Sequence, residues 1–416
     1  MTAPSGEGAP AAARWLLLAI LTTSYGAGAF GMLGMSPISP SLAEGFGLTR
    51  FQVGLIIPAI YLGGLLFSLP GGRFADRIGV RPSLLGGLAV GAGGLLVASL
   101  STSFAAFLAS LFAAGIGWSV VNPALGKAIM DAFPVRERGI AMGIKQMGLT
   151  LGGVVSALLL PPIASMLGWR AAVGACGVIV ALPVALAWRP LGAFVRIAPA
   201  RRSADTGRPD AAGLWWWARR PALLAFFATG LVLGMVQASV LSYLPLFTIQ
   251  ALGFDKIGAG FLVAASQAGG AVARLALGAA SDRWLPARRS AWLAVTSAFG
   301  AVIFAGYAMW TATGPLLAGF LAFATGVGAY GWVGVYFVIS VEAGGPRQAG
   351  LLSGVAFASI VLGLLVGPPV FGLLLERWDS YAAPWAFFAT LAALVTATAL
   401  AAGPAIDRQC RRAAEA

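Results

Sequence analysis

The sequence contains no histidine and has few cysteines and few charged residues. Among its 416 residues there are only two Cys and 14 Asp or Glu, and charged residues make up 10% of the chain. Without histidine, neither a His-based proton relay nor a His-rich metal site can form, and two cysteines cannot build a disulfide framework. We therefore expect no metal site and no cofactor. A soluble domain would carry about 25% charged residues, so the low charge also argues against a soluble fold.

Instead of charged residues, the chain contains long apolar runs. Hydrophobic residues make up 59% of the chain, and they form blocks of about 20 residues or more, which is the length that spans a bilayer core as a helix. We predict an all-α membrane protein in which twelve transmembrane helices form two six-helix, pseudo-symmetric bundles. The predicted spans are 15–36, 51–72, 83–101, 104–130, 139–164, 170–191, 221–249, 257–280, 291–311, 315–341, 349–375 and 384–404.

The basic residues predict the orientation of these spans. Residues 1–191 form the first bundle, 192–220 a central loop, and 221–416 the second bundle with a short tail. Most of the 27 Lys and Arg fall in the two tails, the central loop and the connections after even-numbered spans. Such cations normally face the cytoplasm. We therefore expect a multi-pass, monomeric protein of the cell inner membrane, with both termini cytoplasmic and the lipid bilayer as its environment. Because the cations are scattered over short loops, nucleic acid is not an expected partner.

The two halves of the chain repeat one another. Six residues of the second span and its loop, from Gly54 to Arg77, recur 206 positions later in the eighth span. Four residues of the fifth span, from Gly139 to Gly152, recur 211 positions later in the eleventh span. Parallel repeats of six spans are the way in which alternating-access carriers place one binding site between two rocking halves.

The loop after the second span carries a signature that resembles the major facilitator superfamily: a Gly, then Asp-Arg, then Gly and a basic residue. A degenerate copy follows the eighth span, and a related acidic and basic signature follows the fourth. The resemblance covers nearly the whole chain and implies that these charges form a cytoplasmic gate. The alternative is that they only set topology. The implied gating residues are Gly72, Asp76, Arg77, Arg81, Asp131, Arg138, Asp282, Arg283 and Glu342.

Two cations lie deep within predicted spans, Lys145 in the fifth and Arg274 in the eighth, whereas no acidic residue lies near the centre of any span. An uncompensated cation at that depth costs at least about 2.5 kcal/mol, so it usually faces a cavity and serves function. The repeat places Ala356 and Ser68 at the equivalent positions, so the scaffold requires neither cation. In the superfamily that the chain resembles, the fifth and eighth spans flank a central cavity, which implies an anionic substrate between the two cations.

The predicted substrate-binding residues combine these cations with polar and aromatic neighbours. For the neighbours, interfacial anchoring or helix packing is an equal alternative, and for the cations the alternatives are snorkelling or a bond to helix carbonyls. The set is Arg274, Lys145, Gln267, Tyr61, Asn122, Tyr25, Gln237, Tyr330 and Trp332.

The block around Arg274 also resembles the eighth span of monocarboxylate, oxalate and nitrate carriers, which use an Arg there on the anion. Proton-coupled monocarboxylate carriers tend to have an Asp one turn earlier, where this chain has Gly270. A co-transported proton would then travel on the substrate or on the Lys145 amine. The alternative is that the carrier is an exchanger or a uniporter.

Secondary active transport of a small organic anion, with a carboxylate favoured, is the function that these features predict. Proton-driven efflux of drug-like compounds is the first alternative, although such carriers usually keep an acid in the membrane core. A carrier of a small inorganic anion such as nitrate or cyanate is the second. A sensor would normally append a soluble output domain, and an intramembrane enzyme would need a nucleophile with a partner or a metal cluster. The sequence offers none of these, so we do not expect an enzyme.

Overall fold

The computed structural model describes residues 11–197, 216–309 and 314–415, and these residues are almost entirely helical, with no strand among them. The prediction of an all-α fold is confirmed. The helices are α1 (Ala11–Leu33), α2 (Ser39–Phe46), α3 (Arg50–Ile78), α4 (Val80–Ser99), α5 (Phe104–Ala132), α6 (Val135–Ile197), α7 (Pro221–Gln250), α8 (Lys256–Arg283), α9 (Ser290–Met309), α10 (Pro315–Tyr330), α11 (Val333–Trp378) and α12 (Ala382–Glu415).

Helix α6 is too long for a single crossing of the membrane. Its apolar stretch, Ile140–Leu186, has 47 residues and would measure about 70 Å as one straight helix, against a hydrocarbon core of about 30 Å. The helix breaks at Gly168, whose φ of 84° is open to glycine but strained for other residues. Gly345, with φ 57°, breaks α11 in the same way. Eleven stretches of the described residues are long and apolar enough to cross a membrane; α2 is not one of them, and Pro315–Gly345 joins α10 to the first part of α11. Counting Ile140–Leu186 as two spans gives twelve, as predicted.

The chain divides into two compact units. Unit 1 consists of Met1–Ile38 and Ala59–Thr206, and unit 2 of Ser39–Pro58 and Gly207–Ala416. Unit 2 therefore includes α2 and the beginning of α3, which come from the first half of the sequence. The central connection at 198–215 lies outside the described residues.

In unit 1, glycines let the helix backbones touch. A β-carbon on Gly63 of α3 would overlap the carbonyl of Phe112 in α5, and one on Gly115 of α5 would overlap the carbonyl of Ile60 in α3. Membrane helices gain little from the hydrophobic effect against one another, so close contact between small residues supplies much of their association. These two glycines therefore fix the distance between α3 and α5.

Unit 2 reproduces this contact with the corresponding residues of the repeat. A β-carbon on Gly269 of α8 would overlap the carbonyl of Phe323 in α10, and one on Gly326 of α10 would overlap the carbonyl of Ser266 in α8. The spacing of both pairs matches that of the α3–α5 contact. The sequence repeat is therefore also a repeat of packing.

Polar contacts at the beginning of α3 hold the segment Ser39–Pro58 against the rest of unit 2. Arg50 pairs with Asp379 at 2.6 Å and donates to the carbonyl of Leu375. The Tyr243 hydroxyl donates to the carbonyl of Arg50 at 2.6 Å, and Glu376 accepts the backbone N–H of Phe51. The N–H of Phe51 is one of the first four N–H groups of α3, which have no acceptor within the helix, and Glu376 supplies that acceptor.

The glycine contact can be tested within one helix. We expect Gly326→Ala to lower the stability of the purified protein by about 1–3 kcal/mol, the usual cost of overpacking, because the new methyl group overlaps the Ser266 carbonyl. Gly319, also in α10, has no neighbouring atom where a β-carbon would stand, so Gly319→Ala should leave stability unchanged or raise it. Thermal unfolding in detergent measures both. Equal melting temperatures for the two variants would contradict the packing argument.

Candidate functional site

Lys145 is buried in the fifth span without an acidic partner. Its side chain is 6% exposed, and its amine donates a 2.8 Å hydrogen bond to Oδ1 of Asn122. The amine also lies 4.6 Å from the ring centre of Tyr25, in a cation–π contact. No described Asp or Glu forms an ion pair with it. A neutral amide and an aromatic face thus support the charge, and the predicted residues Lys145, Asn122 and Tyr25 come together in unit 1.

A tryptophan that the sequence analysis did not select completes this cluster. The rings of Trp118 and Tyr25 stack with their centres 5.1 Å apart and an angle of 7° between their planes. The Trp118 ring lies over Gly28, where a β-carbon would overlap it. The Tyr25 ring therefore contacts both the Lys145 amine and the Trp118 ring, and the two contacts restrict its orientation.

Two glycines of α6 hold Lys145 beside α1. A β-carbon on Gly148 would overlap the carbonyl of Thr22, and one on Gly152 would overlap the carbonyl of Gly26. Lys145 lies about one helical turn before Gly148, and Tyr25 directly precedes Gly26. The glycine contact between the two backbones therefore places the amine against the ring.

The second repeat keeps the scaffold of this cluster but not its polar residues. The contact of Gly152 with α1 recurs as the contact of Gly363 with Leu231 of α7. Aligned through these glycine contacts, the four cluster positions are occupied in unit 2 by small or apolar residues. They are Gly230 for Tyr25, Ala329 for Trp118, Val333 for Asn122 and Ala356 for Lys145. Comparing the copies at Trp118 would have revealed this residue from the sequence.

Arg274 is half-buried on α8 and reaches an interruption in the tenth span. Its Nε donates to the carbonyl of Tyr330 at 3.0 Å. Helix α10 ends at Tyr330 and α11 begins at Val333, and the indole of Trp332 donates to the carbonyl of Ala329 at 2.8 Å. Side chains thus bind two consecutive carbonyls at this interruption. The bond to a helix carbonyl, expected as the alternative for Arg274, is present.

The structure also explains why glycine stands at 270. A β-carbon there would lie 2.7 Å from the β-carbon of Tyr330, so an acidic side chain at this position would collide with Tyr330. Tyr330 is itself buried, at 3% exposure. The space one turn before Arg274 is therefore filled by an aromatic residue from α10.

The remaining predicted substrate residues differ in their burial and in their hydrogen bonds. Gln237 of α7 has its Oε1 buried without a hydrogen-bond partner among the described residues. Gln267 of α8 and Tyr61 of α3 are half-buried. Trp332 is fully buried, and its indole N–H is occupied by the Ala329 carbonyl, which favours a packing role.

The predicted gating residues of unit 1 are described only in part. The surroundings of Gly72 and the side chains of Asp76 and Arg77 lie outside what the structure describes, and Arg81 and Asp131 are half-buried. Arg138 caps the end of α5 by donating to the carbonyls of Phe133 at 3.0 Å and Met130 at 2.7 Å. The end of α5 thus obtains partners for carbonyls that the helix itself leaves open.

In unit 2 the gating residues Asp282 and Glu342 gather around Arg289, a basic residue of the degenerate signature that follows the eighth span. Arg289 pairs with Asp282 at 2.5 Å and with Glu342 at 3.1 Å, and it donates to the Ser281 hydroxyl. Burial acts to lower the pKa of Arg289, but the bonds and charges of the two carboxylates outweigh it and raise this pKa. The network joins the ends of α8 and of the tenth span within unit 2, while Arg283 stays exposed.

The support that Asn122 gives to Lys145 can be measured. We expect Asn122→Leu to destabilise the protein by about 1–3 kcal/mol, because the buried amine loses its hydrogen-bond acceptor. Gln146→Leu, which alters an exposed polar residue next to Lys145, is the matched control and should cost little. In a Lys145→Met background the cost of Asn122→Leu should disappear, as a double-mutant cycle requires for coupled residues. Purely additive melting-temperature changes would show that the two side chains do not interact.

Several proteins similar in sequence to this chain are named as membrane carriers. The chain is 29% identical over 344 residues to a 3-(3-hydroxy-phenyl)propionate transporter of Escherichia coli (strain K12). This match covers 80% of the chain and 80% of that protein. It is 30% identical over 374 residues to human monocarboxylate transporter 11, covering 83% of this chain and 73% of that protein. It is 28% identical over 418 residues to a probable sulfoacetate transporter of Cupriavidus necator, covering 89% and 90%.

Solved structures show the same fold. A bacterial homologue of the human lysosomal transporter Spinster, in an inward-facing and unoccupied conformation, matches with a TM-score of 0.78 over 97% of this chain and 98% of that one, at 17% identity. The family model of the Major Facilitator Superfamily matches residues 17–360, which is most of the chain and includes Lys145 and Arg274. The chain therefore belongs to the Major Facilitator Superfamily and is a multi-pass membrane transporter.

Proposed function

We propose that this transporter carries a small organic anion, with a carboxylate as the favoured substrate, by alternating access. In this proposal Lys145 of unit 1 and Arg274 of unit 2 supply the positive charge that the anion binds. Asn122, Tyr25 and Trp118 orient Lys145, and Gln237 and Gln267 are candidates for further polar contacts.

The isolation of Lys145 from acidic groups is the observation that supports this proposal most. A buried cation in a membrane protein is normally paired with an acid or exposed to water. Lys145 is buried, and the described residues provide it with an amide oxygen and an aromatic face only. A carboxylate substrate would complete a charge-assisted hydrogen bond, which is roughly twice as strong as a neutral one. The accessible side chain of Asn122 leaves a way for such a ligand to approach.

Arg274 supports the proposal through the chemistry of its side chain. A guanidinium group has five N–H donors, and the Nε of Arg274 donates to the Tyr330 carbonyl. That bond fixes the plane of the group, because the guanidinium is rigid. An oriented guanidinium is suited to bidentate binding of a carboxylate. The carbonyl bond and a substrate-binding role are therefore compatible.

The names of the relatives favour a carboxylate among the possible anions. The three carriers described above are named for an aromatic propionate, for monocarboxylates and for sulfoacetate, and each of these substrates contains a carboxylate. They differ in the rest of the molecule, so they support the class and not one compound.

We extend the proposal to orientation and coupling. Both termini and the central loop are assigned to the cytoplasm on the basis of the excess of Lys and Arg there, with the inner membrane of a bacterium as the location. No acid lies at the centre of a span, so a coupled proton is assigned to the substrate or to the Lys145 amine. Uptake into vesicles at a series of imposed proton gradients separates this coupling from exchange.

Anion binding should depend on both cations. We expect 3-phenylpropionate, pyruvate or sulfoacetate to raise the melting temperature of the wild-type protein in detergent. Lys145→Met and Arg274→Gln should each weaken that binding by about 10-fold to 100-fold, the cost of losing one charge-assisted hydrogen bond. The matched control is Lys127→Met, which removes a Lys near the end of α5, away from the cluster.

Two results would overturn this assignment. Equal stabilisation of all variants by the same acids would show that neither cation binds them. Stabilisation of the wild type by hydrophobic cations alone would instead indicate drug efflux, and stabilisation by nitrate alone would indicate an inorganic-anion carrier.

A carboxylate introduced beside Lys145 should compete with the substrate. We expect Asn122→Asp to raise the melting temperature of the ligand-free protein, because an ion pair replaces a neutral hydrogen bond, and at the same time to weaken anion binding and uptake at least about tenfold. Asn122→Ser, which shortens the side chain without adding charge, is the control. Normal uptake by the Asn122→Asp variant would mean that the Lys145 amine is not the substrate's partner.

A further inference from the structure

A basic cavity lies at one end of unit 2, away from the residues proposed to bind substrate. It has a volume of about 430 Å³ and lies between the beginning of α9 and the last turns of α12. Three arginines line it, Arg288 from the connection before α9 and Arg408 and Arg411 from α12. The proposed transport mechanism uses none of these three arginines.

The single acidic residue in the cavity wall is already engaged. Asp407 is 7% exposed, and its carboxylate accepts the backbone N–H of Ser290 at 3.3 Å and the Ser290 hydroxyl at 2.6 Å. It therefore caps the start of α9, where a carboxylate is favoured. Arg411 donates to the carbonyl of Ala287 at 3.3 Å. Within the described part of the chain, none of the three arginines forms an ion pair, so the cavity carries a net positive charge.

The cavity continues into an apolar surface along one side of α12. Leu400, Pro404, Arg408 and Arg411 follow one another at intervals of about one helical turn and so lie on one face of the helix. The first two line the same cavity, and Leu400 is 63% exposed. An exposed leucine on a membrane-spanning helix faces the acyl chains of the bilayer. This face therefore changes from apolar to cationic as α12 reaches its end.

An exposed aromatic residue indicates that this end of unit 2 lies at the membrane surface. Trp284 follows α8 directly and is 68% exposed, and its ring contacts that of Trp292 in α9, with their centres 6.2 Å apart. Tryptophan is enriched at the level of the lipid headgroups. The three arginines come from the same connection and from the adjacent end of α12, which places them at headgroup depth.

We propose that this cavity binds the phosphate of an anionic phospholipid, with Arg288, Arg408 and Arg411 around the phosphate and the acyl chains along Leu400 and Pro404. Basic pockets between membrane helices at the surface of the bilayer are suited to such headgroups. A free phosphate would use the arginines equally well, but it would gain nothing from the apolar face that continues from them. The lipid would link α9 to α12 and so stabilise unit 2.

The test compares lipids and variants on the full-length protein in detergent. Short-chain phosphatidylglycerol should raise the melting temperature, whereas phosphatidylcholine with the same chains should not. Arg288→Gln and Arg408→Gln should each weaken phosphatidylglycerol binding by about fivefold, which corresponds to the contribution of one basic residue near an anionic surface. Arg412→Gln is the matched control, since Arg412 is also exposed on α12 but does not line the cavity, and it should bind the lipid as the wild type does.

A second variant tests the cavity without changing any charge. Ala291 lines it, and Ala291→Phe should fill the space and abolish the preference for phosphatidylglycerol while anion transport persists. The proposal is overturned if the wild type does not distinguish the two lipids, or if all arginine variants, Arg412→Gln included, lose binding equally. Inorganic phosphate that stabilises the protein as strongly as the lipid at equal concentration would assign the cavity to a soluble anion instead.

Discussion

A polar group inside a bilayer must find its partner within the protein, because the hydrocarbon offers none. This constraint explains the helices, and it also explains the arrangement of the charged side chains. The Lys145 amine has an amide oxygen and an aromatic ring, and the Arg274 guanidinium has a carbonyl at an interruption of the tenth span. Even the indole of the fully buried Trp332 is bonded to a carbonyl. Each of these contacts satisfies a polar group with a neutral partner.

Glycine contacts supply the frame that holds these groups in place. Corresponding pairs of helices touch through glycines in the two units. Gly115 meets the backbone of Ile60 in unit 1, and Gly326 meets the backbone of Ser266 in unit 2. Such contacts leave little freedom in the separation of two helices, since backbone meets backbone and no flexible side chain lies between. The helix positions set by these glycine contacts then determine where the polar side chains lie. Lys145 meets Tyr25 because α1 and α6 meet at Gly26 and Gly152.

Much of the fold could be predicted from hydropathy, because twelve apolar runs must cross a bilayer as helices. The break at Gly168 fell between two predicted spans. The sequence analysis did not predict the interruption after Tyr330. Gly331 and Trp332 keep helical dihedral angles there, and no sequence signal marks the interruption. Lys145 and Asn122 were found because charge and amide groups are rare in apolar runs. Trp118 was overlooked because an aromatic residue in such a run resembles ordinary packing.

The neutral partners of Lys145 have a consequence for transport. A cation held by an acid must give up that ion pair before it can bind an anion, and a buried charge left unpaired costs several kcal/mol. In the proposed mechanism, Lys145 keeps its hydrogen bond to Asn122 and its ring contact with Tyr25 while a substrate approaches, so no competing ion pair has to break. The same argument sets the condition for release. Under the same proposal the amine keeps these neutral partners when the substrate leaves, which fits the requirement that the loaded and empty states have similar free energies.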